Sequence, residues 1–180
     1  MSKTFISAIA ACLIAGACTQ EPPTSAAHEG SELSAIEELA DEYLVALLER
    51  YPSMATTLGI EGARHDRLYD NSLQALAEWG RREDAWLARL NGIAEPSDIG
   101  SRDWVTYSIL HESLDSAVQL RICRNELWQA SGSTGWHRNL PFLFEIQPVD
   151  SPEHREQTLD RLSAVNRYID TEIALSLIHI

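Results

Sequence analysis

Residues 34–50 read SAIEELADEYLVALLER, with apolar side chains that recur three and four positions apart. This spacing places the apolar side chains on one face of an amphipathic α-helix. Ser34 and Glu37 have the spacing of a capping box, in which each side chain binds the backbone N–H of the other residue. Pro52 ends the pattern, because proline does not continue a helix interior. The segment therefore predicts a helix over residues 34–50.

Residues 73–90, 102–124 and 152–174 show the same helical spacing of apolar side chains. The predicted core face of the first of these comprises Leu73, Leu76, Ala77, Gly80, Leu87 and Leu90, with Trp79 and Trp86 on its flank. The predicted core face of the last comprises Leu159, Leu162, Val165, Ile169 and Ile173. No apolar run alternates between hairpin turns, so no strand is predicted. The fold class that follows is all-α, an array of long antiparallel amphipathic helices.

Two stretches between these helices, residues 53–70 and 131–150, are predicted to be irregular because glycine or proline interrupts them. The first contains the charged run Arg64-His65-Asp66-Arg67. This run is either a binding loop or a solvated loop whose charges pair with one another. We favour the solvated loop, since short runs of mixed charge usually face water.

Trp128, Trp136 and His137 lie in or beside the second irregular stretch. An aromatic-rich loop is typical of the wall of a ligand pocket, and these three residues are the candidate pocket-lining residues. It is equally typical of a loop that packs over a helix bundle, which is the interpretation we favour. No catalytic residue is predicted.

The first 17 residues have the layout of a secretory signal, with one positive charge at Lys3, an apolar run and a small-residue end. Cys18 follows Ala-Gly-Ala directly, so residues 1–17 resemble a lipoprotein signal peptide and Cys18 the site of lipidation. Thr19 is not aspartate, which by resemblance to Gram-negative sorting rules indicates the outer membrane, facing the periplasm. Residues 18–33 are rich in small and polar side chains and predict a flexible tether.

The formal net charge of the 180 residues is −13, which excludes nucleic acid as a partner because phosphate binding needs clustered positive charge. The predicted membrane contact is therefore the lipid on Cys18. Cys12 and Cys18 lie in or at the end of the leader, so Cys123 is alone in the body and has no partner there for a disulfide. We expect Cys123 to be a half-buried helix residue.

The last six residues, 175–180, read LSLIHI. The codons CTG TCT CTT ATA CAC ATC encode this hexapeptide, and that DNA string matches a transposon end used to tag sequencing libraries. We expect that these residues come from read-through into adapter sequence and that the gene fragment ends near Ala174.

Five stretches carry a resemblance to the bacterial family called domain of unknown function 885, a set of predicted exported lipoproteins. They are YPSMATTLG at 51–59, DRLYD at 66–70, NELW at 125–128, TGW at 134–136 and RYIDTEIA at 167–174. The resemblance extends over residues 34–174 and implies the N-terminal part of a larger helical fold similar to zinc metallopeptidases of the His-Glu-x-x-His kind. In such sites two helical histidines and a later glutamate hold zinc.

The family's metal motif has the form His-Glu-Gly-x-Pro-Gly-His and lies far toward the C-terminus, and nothing in this chain matches it. No zinc ligand can be assigned here, although the resemblance implies zinc and a peptide substrate for a full-length protein. The expected function is thus the N-terminal part of an exported, zinc-dependent, peptidase-like hydrolase. The alternative is a non-catalytic, lipid-anchored binding protein of the cell envelope.

The lipidation site can be tested by expressing Cys18→Ser in a Gram-negative host and labelling the cells with radioactive palmitate. We expect the label on the wild-type chain but not on Cys18→Ser, because serine lacks the thiol that is acylated. Cys123→Ser is the matched control and should keep the label. A wild-type chain that takes up no label would contradict the lipoprotein prediction.

Overall fold

A computed structural model describes residues 33–127 and 135–177, which lie within one compact unit, Leu33–Ile180. The described residues form helices and no strand, as the all-α prediction requires. The helices are α1 Ala35–Arg50, α2 Pro52–Thr57, α3 Leu73–Asn91, α4 Arg102–Leu120, α5 Trp136–Ile146, α6 Pro152–Ser163 and α7 Val165–Leu177. Two short 3-10 helices follow α4, at Arg121–Cys123 and Asn125–Leu127. None of the described helices combines the length and the apolar character needed to cross a bilayer.

Several predictions concern residues outside the described ranges. They include the signal peptide, Cys18, most of the tether and Trp128.

The predicted capping box of α1 is confirmed. The Glu37 backbone N–H donates to Ser34 Oγ, and the Ser34 backbone N–H donates to Glu37 Oε2, both at 3.2 Å. Ser34 Oγ also donates to Asp103 on α4 at 2.9 Å, so the cap joins two helices. Serine caps α3, α4 and α6 in the same way, which explains why these helices begin where they do.

The main core lies where α1, α3 and α4 pack together. Its buried members are Leu39, Ala46, Trp79, Trp86, Leu90, Leu110 and Leu114. The two indole rings meet edge to face at 5.4 Å, and each indole N–H donates to a carboxylate, Trp79 to Glu83 and Trp86 to Glu42. Because both polar atoms are satisfied, the rings can be buried without leaving an unpaired donor.

The prediction that Trp79 and Trp86 lie on the flank of their helix is therefore wrong. Leu73, predicted to be in the core, is 45% exposed, while both indoles are nearly inaccessible. The buried face of α3 is rotated toward the tryptophans because each can bury a large ring and still pair its N–H with a nearby carboxylate.

A smaller core joins the segment before α3 to α5 and α7 and consists of Leu68, Leu143 and Tyr168. Helix α5 corrects the prediction of a loop over residues 131–150. Pro141 lies inside this helix, where it forfeits one backbone donor. Leu143 and its neighbours pack in the smaller core, and this packing outweighs the lost hydrogen bond. Local sequence signals do not reveal such packing.

Three other boundaries differ from prediction. Residues 53–57 of the irregular stretch belong to α2, which begins at Pro52, a residue favourable at the first helical position. The predicted helix 152–174 is two helices, which meet at Ala164. The chain after Leu120 tightens into a 3-10 helix, so Ile122 is 87% exposed and Cys123 is exposed as well. The expectation of a half-buried Cys123 is wrong for this reason.

The predicted core face of α6 and α7 is only partly right, since Val165 and Ile169 pack against the smaller core but the other three residues do not. Leu159, Leu162 and Ile173 are exposed. The face turned to the protein interior instead carries Arg161 and Glu172, at 0% and 1% exposure. Hydrogen-bond partners supplied by the segment between α2 and α3 make this burial possible.

Two leucine substitutions distinguish the observed faces from the predicted ones. Leu114→Ala should lower the free energy of unfolding by about 2–5 kcal/mol, because Leu114 is fully buried in the main core. Leu159→Ala should change it by less than about 0.5 kcal/mol, because its side chain is exposed. Urea unfolding followed by circular dichroism measures both. Equal losses would mean that the sequence-derived face of α6 is the buried one.

Candidate functional site

A cavity of about 350 Å³ lies between the end of α1, the segment before α3, the end of α4 and α7. We call it the Glu172 cavity. Its polar wall residues are Tyr51, Tyr69, Asn71, Arg121, Asn125, Glu126 and Glu172. Leu175, on α7, completes an apolar part of the wall and is buried.

Glu172 has two carboxylate oxygens in different situations. Oε1 accepts a hydrogen bond from Asn71 Nδ2 at 2.8 Å and a long one from the Tyr69 hydroxyl at 3.5 Å. Oε2 is buried and has no hydrogen-bond partner. Leaving a buried acceptor unpaired costs about 1–3 kcal/mol, and more if it is charged. Among the described residues no cation lies within ion-pair distance of Glu172, so this cost is not offset by a salt bridge.

A pair of tyrosines holds this carboxylate in place. Tyr168 donates to the hydroxyl oxygen of Tyr69 at 3.1 Å, and the two rings meet edge to face at 5.3 Å. Burial raises the pKa of Tyr69 and of Tyr168, so both phenols stay protonated and act as donors. Asn71 donates to the Tyr168 carbonyl oxygen as well, at 3.2 Å, which fixes the orientation of its amide.

Arg121 brings a positive charge to the cavity wall, but its guanidinium is already neutralised. It donates to Glu83 at 3.0 Å, to Asp84 at 2.7 Å and to the carbonyl oxygen of Gly80 at 2.9 Å. Burial opposes its charge, yet the hydrogen bonds to the two carboxylates outweigh that effect and raise the pKa of Arg121.

A second cavity of about 330 Å³ shares Tyr69 with the Glu172 cavity and is also lined by Tyr168. Its remaining wall is mostly apolar and comes largely from α5. Trp136, a candidate pocket-lining residue, is part of this wall. His137 is exposed and lies against the edge of Trp136 at 5.8 Å, so it does not line the cavity. Trp128, the third candidate, is outside the described residues.

A buried polar cluster surrounds Arg161 on α6. Its guanidinium donates to the carbonyl oxygen of Arg67 at 3.0 Å, to Thr56 at 3.0 Å and to Gln147 at 2.8 Å, while Nη2 has no partner. All three acceptors are uncharged. Burial lowers the pKa of Arg161 to about 10, although the charge of nearby Asp66 opposes the shift.

His65 belongs to the same cluster, which corrects the prediction of a solvated loop at residues 64–67. Arg64 and Asp66 do pair with one another, as predicted. His65 is only 6% exposed, however, and its Nδ1 lies 2.9 Å from the Thr56 hydroxyl. Its backbone N–H donates to Gln157 at 2.9 Å. Partners from α2 and α6, distant in sequence, bury this histidine, and nothing in the local sequence predicts them.

The described residues do not fit a zinc site. Two histidines come near one another, His65 and His154, with ring centroids 5.8 Å apart, and His154 also contacts Asp150 at 2.6 Å. In the ranges 33–127 and 135–177, however, no group of three His, Cys, Asp or Glu side chains is placed to hold a metal ion. A catalytic zinc needs three protein ligands, so no chemical step is assigned to a metal here.

Comparison with protein families gives one match. A family model described as a bacterial protein of unknown function, DUF885, matches residues 52–177. The match includes every polar residue of the Glu172 cavity except Tyr51. No curated protein matches the chain.

The buried His65 should make stability depend on pH. Burial lowers its pKa, Arg161 and His154 lower it further by repulsion, and Asp66 opposes them. As the pH falls, the unfolded chain therefore binds a proton at His65 near pH 6.5, whereas the folded chain binds it only at a lower pH. We expect the free energy of unfolding to fall as the pH drops through this value, as measured by urea unfolding between pH 8 and pH 5.

His65→Asn tests the assignment, since its amide can replace Nδ1 beside Thr56 but does not titrate. The free energy of unfolding of the variant should therefore fall less between pH 8 and pH 5 than that of the wild type. His137→Asn, at an exposed position, is the matched control and should keep it. An unchanged pH profile in His65→Asn would assign the effect to another group.

Proposed function

The chain belongs to the bacterial DUF885 family, and on this premise we propose that it is the helical, substrate-binding part of an exported zinc-peptidase-like hydrolase. The observation that carries the proposal is the Glu172 cavity. A peptide backbone presents both hydrogen-bond donors and acceptors, so a site that binds it needs both kinds of group. Glu172 and Glu126 supply acceptors, while the Tyr51 hydroxyl can both donate and accept.

The size of the cavity is consistent with a short peptide segment. Ligand pockets in proteins usually measure about 300–1,000 Å³ and combine apolar walls with a few placed polar groups. The Glu172 cavity, at about 350 Å³, lies at the lower end of that range. The second cavity, which shares Tyr69 with the first, offers room of similar size for a side chain.

The remaining parts of the proposal come from the sequence. The leader supports export, and Cys18 supports a lipid anchor in the outer membrane, facing the periplasm. The resemblance to metallopeptidases supports zinc and hydrolysis in a full-length protein. None of the described residues is assigned to the metal.

A second function is a lipid-anchored binding protein of the cell envelope that performs no chemistry. It is favoured by the combination of two cavities with no metal-holding group among residues 33–127 and 135–177. The two functions share peptide binding at the Glu172 cavity and differ only in whether the bound peptide is cleaved.

Peptide binding can be tested by filling the cavity. Ala117, on α4, contributes to its wall, so Ala117→Phe should place a ring in the space that the ligand occupies. We expect alanyl-alanine amide to bind the wild-type chain and to bind Ala117→Phe at least about tenfold more weakly, a loss of about 1.4 kcal/mol by isothermal titration calorimetry. Ala88→Phe, at an exposed position of α3, is the matched control and should bind as the wild type does.

Cleavage is measured on the protein as its source cells produce it. Peptide hydrolysis that a chelator abolishes and zinc restores would support the hydrolase. Binding without hydrolysis would support the non-catalytic binding protein. If no peptide binds the wild-type chain, both proposals are wrong.

A further inference from the structure

We propose that Glu172 is a specificity-determining residue that binds the ammonium group of a peptide, above all its free N-terminus. The inference rests on the proposed peptide-binding function and adds the chemical group that the Glu172 cavity recognises. Three features support it, namely the free carboxylate oxygen, the negative character of the wall and the rigid support of the carboxylate.

The first feature is the unequal pairing of the two oxygens. Both donors that reach Glu172, from Asn71 and Tyr69, converge on Oε1. Oε2 is left without a donor although Glu172 is 1% exposed and forms part of the cavity wall. A buried carboxylate oxygen in this state needs a donor, and a charged donor forms the shorter and stronger hydrogen bond.

The second feature is the charge of the wall, which favours a cation over a neutral donor. Glu126 and Glu172 are the acidic side chains of the wall, and Arg121 is the one basic side chain among the described residues that line it. Glu126 pairs with Arg124, so Glu172 is the wall carboxylate that has no cation beside it. Arg121 is committed to Glu83 and Asp84 on α3, so it does not neutralise Glu172. The protein as a whole carries a formal charge of −13, which also attracts cations.

The third feature is geometric and favours an ammonium group over a guanidinium. A guanidinium binds a carboxylate best through two parallel hydrogen bonds, one to each oxygen. Here Oε1 is already occupied, and a single free oxygen matches a compact ammonium donor. Asn71 is itself held by the Tyr168 carbonyl oxygen, so the carboxylate is oriented before the ligand arrives. Such preorganisation reduces the entropy lost on binding.

The experiment compares the binding of three small probes by calorimetry on the full chain. All three have an amidated C-terminus and so carry no carboxylate. They are alanyl-alanine amide, its N-acetylated form, and N-acetyl-lysine amide, which carries an ammonium group on the side chain only. We expect acetylation of alanyl-alanine amide to weaken binding to the wild type at least about tenfold. Stronger binding of N-acetyl-lysine amide than of alanyl-alanine amide would overturn the assignment to the N-terminus.

Glu172→Gln tests the residue directly, since glutamine keeps the shape of the side chain and removes its charge. It should bind alanyl-alanine amide at least about tenfold more weakly than the wild type and should no longer distinguish it from the acetylated form. Glu156→Gln, exposed on α6, is the matched control and should leave all affinities unchanged. Circular dichroism checks that Glu172→Gln folds, and the acetylation result on the wild type does not depend on that variant.

The outcomes separate this inference from the function on which it rests. If the acetylated probe binds the wild type as tightly as the free amine, the ammonium assignment is wrong and peptide binding stands. If Glu172→Gln folds and still prefers the free amine, another group recognises the ammonium and the assignment to Glu172 is wrong. If neither alanine probe binds, the inference and the proposed function are both wrong.

Discussion

The structure depends on one requirement, that polar side chains buried by α6 and α7 find hydrogen-bond partners. A guanidinium or carboxylate removed from water is strongly destabilising unless its atoms are paired. Arg161 and Glu172 are the most deeply buried polar side chains among the described residues, and both are satisfied in large part by the segment that runs from α2 to α3. Arg161 uses Thr56 and the carbonyl oxygen of Arg67, and Glu172 uses Asn71. These bonds join parts of the chain that are about 90–105 residues apart.

The same requirement shapes the two cavities. Tyr69 contributes to the walls of both cavities, and Tyr168, which is hydrogen-bonded to it, lines the second. The Glu172 cavity contains a carboxylate oxygen with no donor. The second cavity has a mixed wall, in which α5 supplies Trp136 and leucine side chains. Because the two cavities share a wall residue, together they are suited to a ligand with a charged end and an apolar part, such as a short peptide.

Burial of polar groups on α6 and α7 also explains why part of the predicted core face is exposed. Leu159, Leu162 and Ile173 are exposed because the interior positions are taken by Arg161 and Glu172. Hydrophobic periodicity measures the average preference of side chains for water and contains no information on distant hydrogen-bond partners. A polar residue with enough partners can therefore displace an apolar one from the interior.

The sequence by itself determined the all-α class, the starts of α1, α3, α4 and α6 and the family. These features rest on local signals, since a serine cap binds an N–H only three residues away and apolar periodicity repeats within two turns. Of the candidate pocket residues, Trp136 lies in the wall of a cavity, and its role there stays a prediction. Tertiary structure alone decided that α5 is a helix, that His65 is buried and that Glu172 lines a cavity. Each of these depends on contacts with residues far along the chain, and an isolated segment has no means to encode partners that only folding brings within reach.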